Sequence, residues 1–306
     1  MELHWQPDPS RARLERAALS RFLGTQLGKT FGCDPLELER EVGGDLVHPA
    51  SISVAWDVQA GRTPTLSRPD VIRTIVESRD RARKAAVDGM FAVDLVPPDH
   101  AVLARTVERH QMDSARFDDL EPITFYQPEE LDFLHPLREA CGLVAACWPA
   151  MLEEMTVTLC CLTFFTAGMT IGFTDIYTHG LVGIRASDLL QPVALAEEII
   201  HEASHVRLNG LLSSTVCLHD DGGRLYHTPL REDLRTAAGL LHQLFVLARL
   251  CEWHRRLGEH AIPERLERSW EDLLAAHTTA SAELPLTDAG RALVATIDPH
   301  RTTALS

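Results

Sequence analysis

The 306-residue chain lacks a long hydrophobic run, a cysteine framework and any excess of positive charge. Its longest apolar run lies near residues 156–170, short of the roughly 18 residues a membrane-spanning helix needs. The first residues, MELHWQPDPSRARLERAAL, hold no apolar core of the signal-peptide kind. Seven cysteines show no regular spacing and no CxxC, and Cys160-Cys161 sits inside an apolar run. Together these absences predict buried, reduced thiols and a cytoplasmic setting. Positive charge is outweighed: 29 Lys and Arg stand against 44 Asp and Glu, a net charge of −15. That balance argues against non-specific binding to nucleic acid or to an anionic membrane. There is no internal repeat and no low-complexity tract. Apolar content of 45% and charged content of 24% are those of a globular protein, and the length allows one large domain or two unequal ones.

What the chain does have is EEIIHEASHVRLNGLL at residues 197–212, which contains His201-Glu202-Ala203-Ser204-His205, an HExxH motif. Leu195, Ala196, Ile199, Ile200, Ala203, Val206 and Leu208 recur around it at helical spacing, so the motif reads as part of a helix starting near Pro192. Residues four apart share a helix face, which points both imidazoles the same way with Glu202 beside them. Such a pair suits zinc and also iron. A catalytic metal needs a third protein ligand with positions left open. His242, in GLLHQLFVLA, is flanked on both sides by apolar residues. A histidine there is hydrogen-bonded, at the core edge, or a ligand. Beside an upstream HExxH the ligand reading leads, because a neutral imidazole binds metal in a dry pocket without desolvating a charge. No third histidine follows in HExxHxxGxxH spacing. Glu252 lies ten residues beyond His242, so only one of those two readily reaches a shared metal. His219, His227, His254, His260, His277 and His300 have mostly polar neighbours and read as surface histidines. Arg231 and Arg235, ahead of His242, are four apart and suited to gripping a carboxylate bidentately. The plainer reading makes them solvated arginines on a charged first helical turn, with Glu232 and Asp233 favoured by the helix dipole.

The remaining pattern predicts an α+β fold, mostly helical, with a helical region at residues 1–115 and a metal-binding catalytic region at 116–306, divided softly in the polar segment 112–124. Helices are expected at 9–27, with Leu14, Ala17, Ala18, Phe22 and Leu23 on one face, at 34–39, and at 67–86, with Val71, Ile72, Ile75 and Val76 inward. Residues 43–69 read as loop, and residues 79–84 as a solvated charged face. Residues 90–96 read as a strand or buried connection, and 100–110 as a helix. A long helix is expected at 128–154, interrupted at Pro136 and Pro149. Strands follow at 156–165 and 180–184. Asp221-Gly222-Gly223 suggests a hairpin turn between 215–219 and 224–227. Helices at 234–256 and 263–277 and a last one capped by Thr287, with Ala289, Ala292, Leu293 and Ile297 inward, complete the chain.

Several segments, in order, resemble the HExxH-type peptide β-hydroxylases, 2-oxoglutarate-dependent non-haem iron enzymes that tailor ribosomally made peptides. They are Cys147-Trp148-Pro149, Gly172-Phe173-Thr174 leading to Gly180-Leu181-Val182, and residues 198–212 around HEASH. Leu225-Tyr226 through Pro229, Arg231-Glu232-Asp233, Gly239-Leu240-Leu241-His242, Leu286-Thr287 and Ala289-Gly290-Arg291 follow. The likeness covers residues 130–298. The chain departs from the family pattern at Leu230, Leu234, Thr236, Gln243 and the DIYTH stretch at 175–179. The resemblance implies a zincin-like placement of the HExxH helix beside a small sheet. It implies that His201, His205 and His242 hold Fe(II), and that 2-oxoglutarate binds the metal through its keto-acid end. Arg231 or Arg235 would fix the far carboxylate, with Arg231 preferred, and Tyr226 lies in the matched co-substrate segment. Glu202 would orient a ligand or steady the pocket, while O2 and a precursor peptide complete the reaction; a homodimer is left open. In zincin-like folds an edge strand above the motif helix pairs with extended substrate, and residues 180–184 are the candidate edge, the alternative being an ordinary sheet strand. The competing function is a zinc peptidase with Glu202 as general base.

Overall fold

The computed structural model describes residues 3–85, 93–96, 100, 102–104, 106–107, 123–127, 133–166, 172–187, 191–228, 231–258 and 262–297, with backbone alone at 84–85 and 231–233. The fold is mostly helical with a small mixed sheet. No helix among the described residues is long and apolar enough to cross a membrane. The expected divide between regions falls in residues 112–124, almost all outside the described part.

Four helices open the chain: α1 (Pro9–Phe31), α2 (Pro35–Val42), α3 (Pro49–Gln59) and α4 (Arg68–Ala85). Asp8 and Asp34 cap the first two by accepting backbone N–H bonds from Arg11 and Leu36. The face expected for α1 is wrong except at Leu23. Leu14 and Phe22 are 61% and 49% exposed, and Ala17 and Ala18 are exposed as well. The buried side is Ala12, Ser20, Leu23, Gly24, Leu27 and Gly28. Small residues win because α1 meets its neighbours closely: a Cβ on Gly28 would stand 2.9 Å from the Cys33 carbonyl oxygen. The loop expected at 43–69 is also corrected, since α3 occupies its middle. Pro49 stands in its first turn, where proline costs no hydrogen bond, and buried His48 accepts the Ala50 N–H at 3.2 Å as its cap. On α4, Val71 and Ile75 are buried while Val76 is exposed. Its charged end is not wholly solvated: Arg79 donates to the Val42 and Asp45 carbonyls, and Arg81 forks onto buried Asp94 at 2.7 and 2.8 Å.

The sheet runs β1 (Asp94–Leu95), β3 (Cys161–Thr166), β5 (Leu181–Arg185), β4 (Gly172–Thr174), with β2 (Thr124–Phe125) also pairing β3. Residues 180–184 are therefore not the edge strand. β5 is hydrogen-bonded on both sides, parallel to β3 and antiparallel to β4, and among the described residues β4 is the outer strand on that side, with β1 at the other end of the sheet. Of the stretch 100–110, residues 102–104 and 106–107 are helical. The long helix expected at 128–154 is two helices, α5 (Leu134–Cys147) and α6 (Pro149–Thr158). The break expected at Pro149 is present, since the helical run stops at Cys147 and restarts at Pro149, whereas Pro136 falls in the first turn of α5 and interrupts nothing. Residues 156–158 belong to the end of α6, and the strand starts later, at Cys161.

The motif helix α7 (Pro192–Ser214) lies against α5, α6, the sheet strands β4 and β5, and α8 (Ala237–Arg256). Every apolar flank of the motif named above is buried. The two core clusters it joins are built from α5, α6, the sheet and α8 on one side, and from α8, α9 (Pro263–Glu283) and α10 (Asp288–Thr296) on the other. The expected hairpin is displaced. Residues 215–219 do not pair with 224–227; Leu218 bridges Leu286 instead. The hairpin is β6 (Leu225–Thr228) with β7 (Arg231–Thr236). Thus 231–236 is strand, not the first turns of the His242 helix. The α8 cap is Thr236, whose hydroxyl accepts the Gly239 N–H at 3.2 Å. In α10, Leu293 and Ile297 are buried but Ala292 is exposed, and Thr287 is the cap as expected.

Candidate metal centre

Along α7 the residues that are neither fully buried nor exposed include Ala194, Glu198, His201, His205 and Asn209. Their spacing is that of one helix face, so a half-open stripe runs along this side of the helix. His201 and His205 stand on it with Nε2 atoms 3.2 Å apart. His242, from the second turn of α8, reaches the same place: its Nδ1 lies 3.0 Å from His205 Nδ1. The structure thus brings together three imidazoles that are 37 residues apart in sequence at the wider step.

Burial disfavours the charged ring, which pushes His201 and His242 down to about 4 and His205 well below its ordinary value. His205 is depressed further by its two histidine neighbours, while Glu197 partly opposes the shift at His201. All three rings are therefore neutral near pH 7 and can offer lone pairs. With metal–nitrogen bonds of roughly 2.1 Å, two nitrogens at right angles on one cation stand about 3 Å apart. The His201–His205 separation fits that requirement. The third ring does not yet share the point, because His205 meets its two neighbours through opposite nitrogens. Among the described residues no group of three His, Cys, Asp or Glu side chains is placed, as it stands, to hold a metal ion. Convergence requires an imidazole to turn about its terminal torsion, a broad and soft degree of freedom.

Glu202 faces away from solvent. It is 4% exposed, and Oε2 has no hydrogen-bond partner among the described residues. Burial first, then Glu198, pushes its carboxyl up to about 8. The Thr174 hydroxyl opposes this weakly, although it stands outside hydrogen-bond geometry. The carboxyl packs beneath β4, where a Cβ on Gly172 would stand 2.5 Å from Oε1. Glycine at 172 is what gives Glu202 its space.

The other candidates are placed unequally. Tyr226 is buried in the α8–α9 core and donates its hydroxyl to Asp221 Oδ2 at 3.0 Å, with the Arg224 guanidinium 4.9 Å from its ring centre. Arg235 pairs across the hairpin with Tyr226. Its side chain lies over Gly239, whose added Cβ would meet Arg235 Cβ at 3.3 Å. Gly239 is one turn before His242. The side chains of Arg231, Glu232 and Asp233, together with all of Pro229 and Leu230, lie outside the described part. The helical face expected to unite Arg231 and Arg235 does not exist. Across β7 four residues span what two span in β6, so simple alternation does not set their faces either. Glu252 is engaged by Arg255 and Arg256 at 2.6–2.7 Å, away from any ligand role.

Sequence reasoning missed the buried charged groups around α7. His254 is buried, not a surface histidine, and lies 3.3 Å from Glu197, the residue one turn before His201. Glu154, Arg207 and Arg249 form a buried ion cluster on the far side of α7. The detectable signal was an arginine in the apolar run LFVLARLC, which demands a buried carboxylate. A water-sized cavity of about 30 Å³ borders this cluster, lined by Glu15, Arg16, His179 and Arg207 among others, and does not open onto the imidazoles. Comparison with known protein families returns no match, and comparison with curated proteins returns none either.

Proposed function

We propose that this chain is a non-haem Fe(II)- and 2-oxoglutarate-dependent dioxygenase that hydroxylates a β-carbon of a ribosomally made peptide, with a zincin-like setting of α7 beside the sheet. The observation that carries the reading is the arrival of His242, from a separate helix, at His205 in the HExxH pair. His201, His205 and His242 would hold the iron, and their neutrality means no charge must be stripped of water before binding. The bound group supplies the oxidation: one oxygen atom of O2 goes to the substrate C–H, the other to 2-oxoglutarate, which leaves as succinate and CO2.

The chain's own residues then bind and orient. Arg235 and Arg231 are the candidates for the distal carboxylate of 2-oxoglutarate, and Arg235 is the one seen packed one turn from His242. Tyr226 supports that hairpin through Asp221 rather than reaching outward. The outer strand β4 offers backbone groups to an extended peptide above α7. Glu202 steadies β4 from below. This arrangement speaks against the zinc-peptidase alternative, in which Glu202 must take a proton from an attacking water. A carboxyl sealed beneath Gly172 is poorly placed for that duty.

Anaerobic loading with Fe(II) and 2-oxoglutarate is expected to give a weak visible charge-transfer band, and its absence in loaded protein overturns the reading. His242→Ala is expected to lower iron content sharply with the fold intact. Glu202→Gln should retain iron and the visible band; zinc-dependent peptide cleavage that this substitution abolishes would establish the peptidase instead.

A further inference from the structure

We propose that Glu154 is a positioning residue for the metal centre: through Arg207 and Arg249 it sets the register of the two ligand-bearing helices. This inference rests on the three-histidine reading above. Glu154, on α6, is 1% exposed. Its Oε2 accepts Arg207 Nε at 3.2 Å and the Asp8 backbone N–H at 2.8 Å, and its Oε1 accepts Arg249 Nη1 at 2.6 Å. Arg207 belongs to α7, two residues after His205. Arg249 belongs to α8, seven residues or two turns after His242. One carboxylate therefore grips both helices from behind the imidazoles. Arg249 is also fixed by its Nε–H bond to the Trp5 carbonyl at 2.8 Å, and Arg207 by a second carboxylate, Glu15.

Stability alone does not call for these charges. A buried ion cluster is often replaceable by apolar side chains of similar volume without loss, and its best-attested use is to specify register. Apolar ridges tolerate small slides, whereas a buried carboxylate that accepts one N–H from each arginine and a third from the Asp8 backbone does not, because a slide leaves a buried charge unpaired. A slide of one residue along a helix is about 1.5 Å, half of the 3.0 Å that separates His205 from His242. Apolar cores on both sides of α7 hold the same two helices together, and Glu197 stands 3.3 Å from His254 at the other end of α7. The helices thus stay attached when the Glu154 cluster is removed, but their register loses its reference.

The test uses Co(II) alone as the probe, with its dissociation constant read by chelator competition and its coordination by the visible spectrum. In Arg207→Met/Glu154→Leu/Arg249→Met, the melting temperature is expected to hold or rise. The Co(II) dissociation constant should rise about 10- to 100-fold, with a changed spectrum, the range seen when groups that orient metal ligands are removed. Arg249→Lys, which keeps the charge but cannot bond both Glu154 and the Trp5 carbonyl as the guanidinium does, gives a milder second case and is expected to weaken Co(II) several-fold. Either folded variant binding Co(II) as tightly as wild type, with the same spectrum, overturns the proposal. Wild-type protein that binds no Co(II) overturns the three-histidine reading and the clamp together; wild type that binds while either folded variant matches it overturns the clamp alone.

Discussion

At the scale of single residues, Gly172 and Glu202 share one volume. Gly172→Ala drives a methyl to within 2.5 Å of a carboxyl oxygen, and destabilisation of about 1–3 kcal/mol is expected by urea unfolding. In a Glu202→Asp background, with the carboxyl one carbon shorter, the penalty should shrink; an equal penalty in both backgrounds would show that the two do not compete. His48 carries a pH prediction. Its pKa lies well below the ordinary value, first because of burial and then because His100, Arg79, Arg16 and Arg81 surround it. The unfolded chain takes up that proton near pH 6.5 and the folded chain does not. The contribution to stability is complete above pH 6.5 and is lost as pH falls below it. His48→Asn keeps a cap acceptor without titrating, so part of the fall in urea midpoint between pH 7 and pH 5 should disappear. Parallel falls in the two proteins would remove His48 from the account. His242 was legible because a polar ring in an apolar run must be accounted for. Arg249, seven residues later in the same run, obeys the same rule. Its partner Glu154 was not legible, because no sequence pattern links α6 to α8.

At the scale of elements, proline marks beginnings. Pro9, Pro35, Pro49, Pro149, Pro192 and Pro263 all stand in first turns. Reading such prolines as breaks erased α3, whereas reading Pro192 as a start placed α7 correctly. β7 was illegible for another reason: REDLRT has no apolar alternation, and its extended form comes from pairing with β6. The join between them and the site is the α8 cap. Thr236→Ala is expected to cost about 1 kcal/mol. Because Thr236 adjoins Arg235 and lies six residues before His242, the proposed 2-oxoglutarate site predicts weaker binding of that compound in the same variant; unchanged affinity with lowered stability would confine the cap to folding.

At the scale of the whole molecule, a net charge of −15 makes the folded state repel itself. Raising salt from about 0.05 M to about 0.5 M shortens the screening length from roughly 14 to roughly 4 Å. The melting temperature should therefore rise across that range. The buried Glu154 cluster is shielded from such screening, so the Arg249→Lys protein should show the same salt slope as wild type. A melting temperature that falls with salt would mean that surface ion pairs outweigh the net repulsion.

The segment ahead of α1 makes three bonds to distant parts of the chain: Asp8 to Glu154, Trp5 to Arg249, and the Trp5 indole N–H to the Thr296 carbonyl at 2.8 Å, a separation of 291 residues. During synthesis at about 5–20 residues per second, Thr296 follows Trp5 by roughly 15–60 s. For that interval the Trp5 indole N–H has no native acceptor, and the Trp5 carbonyl waits for Arg249, 244 residues on. The stretch ahead of α1 thus settles only after the last helix of the fold has been made, and until then it is open to capture by chaperones.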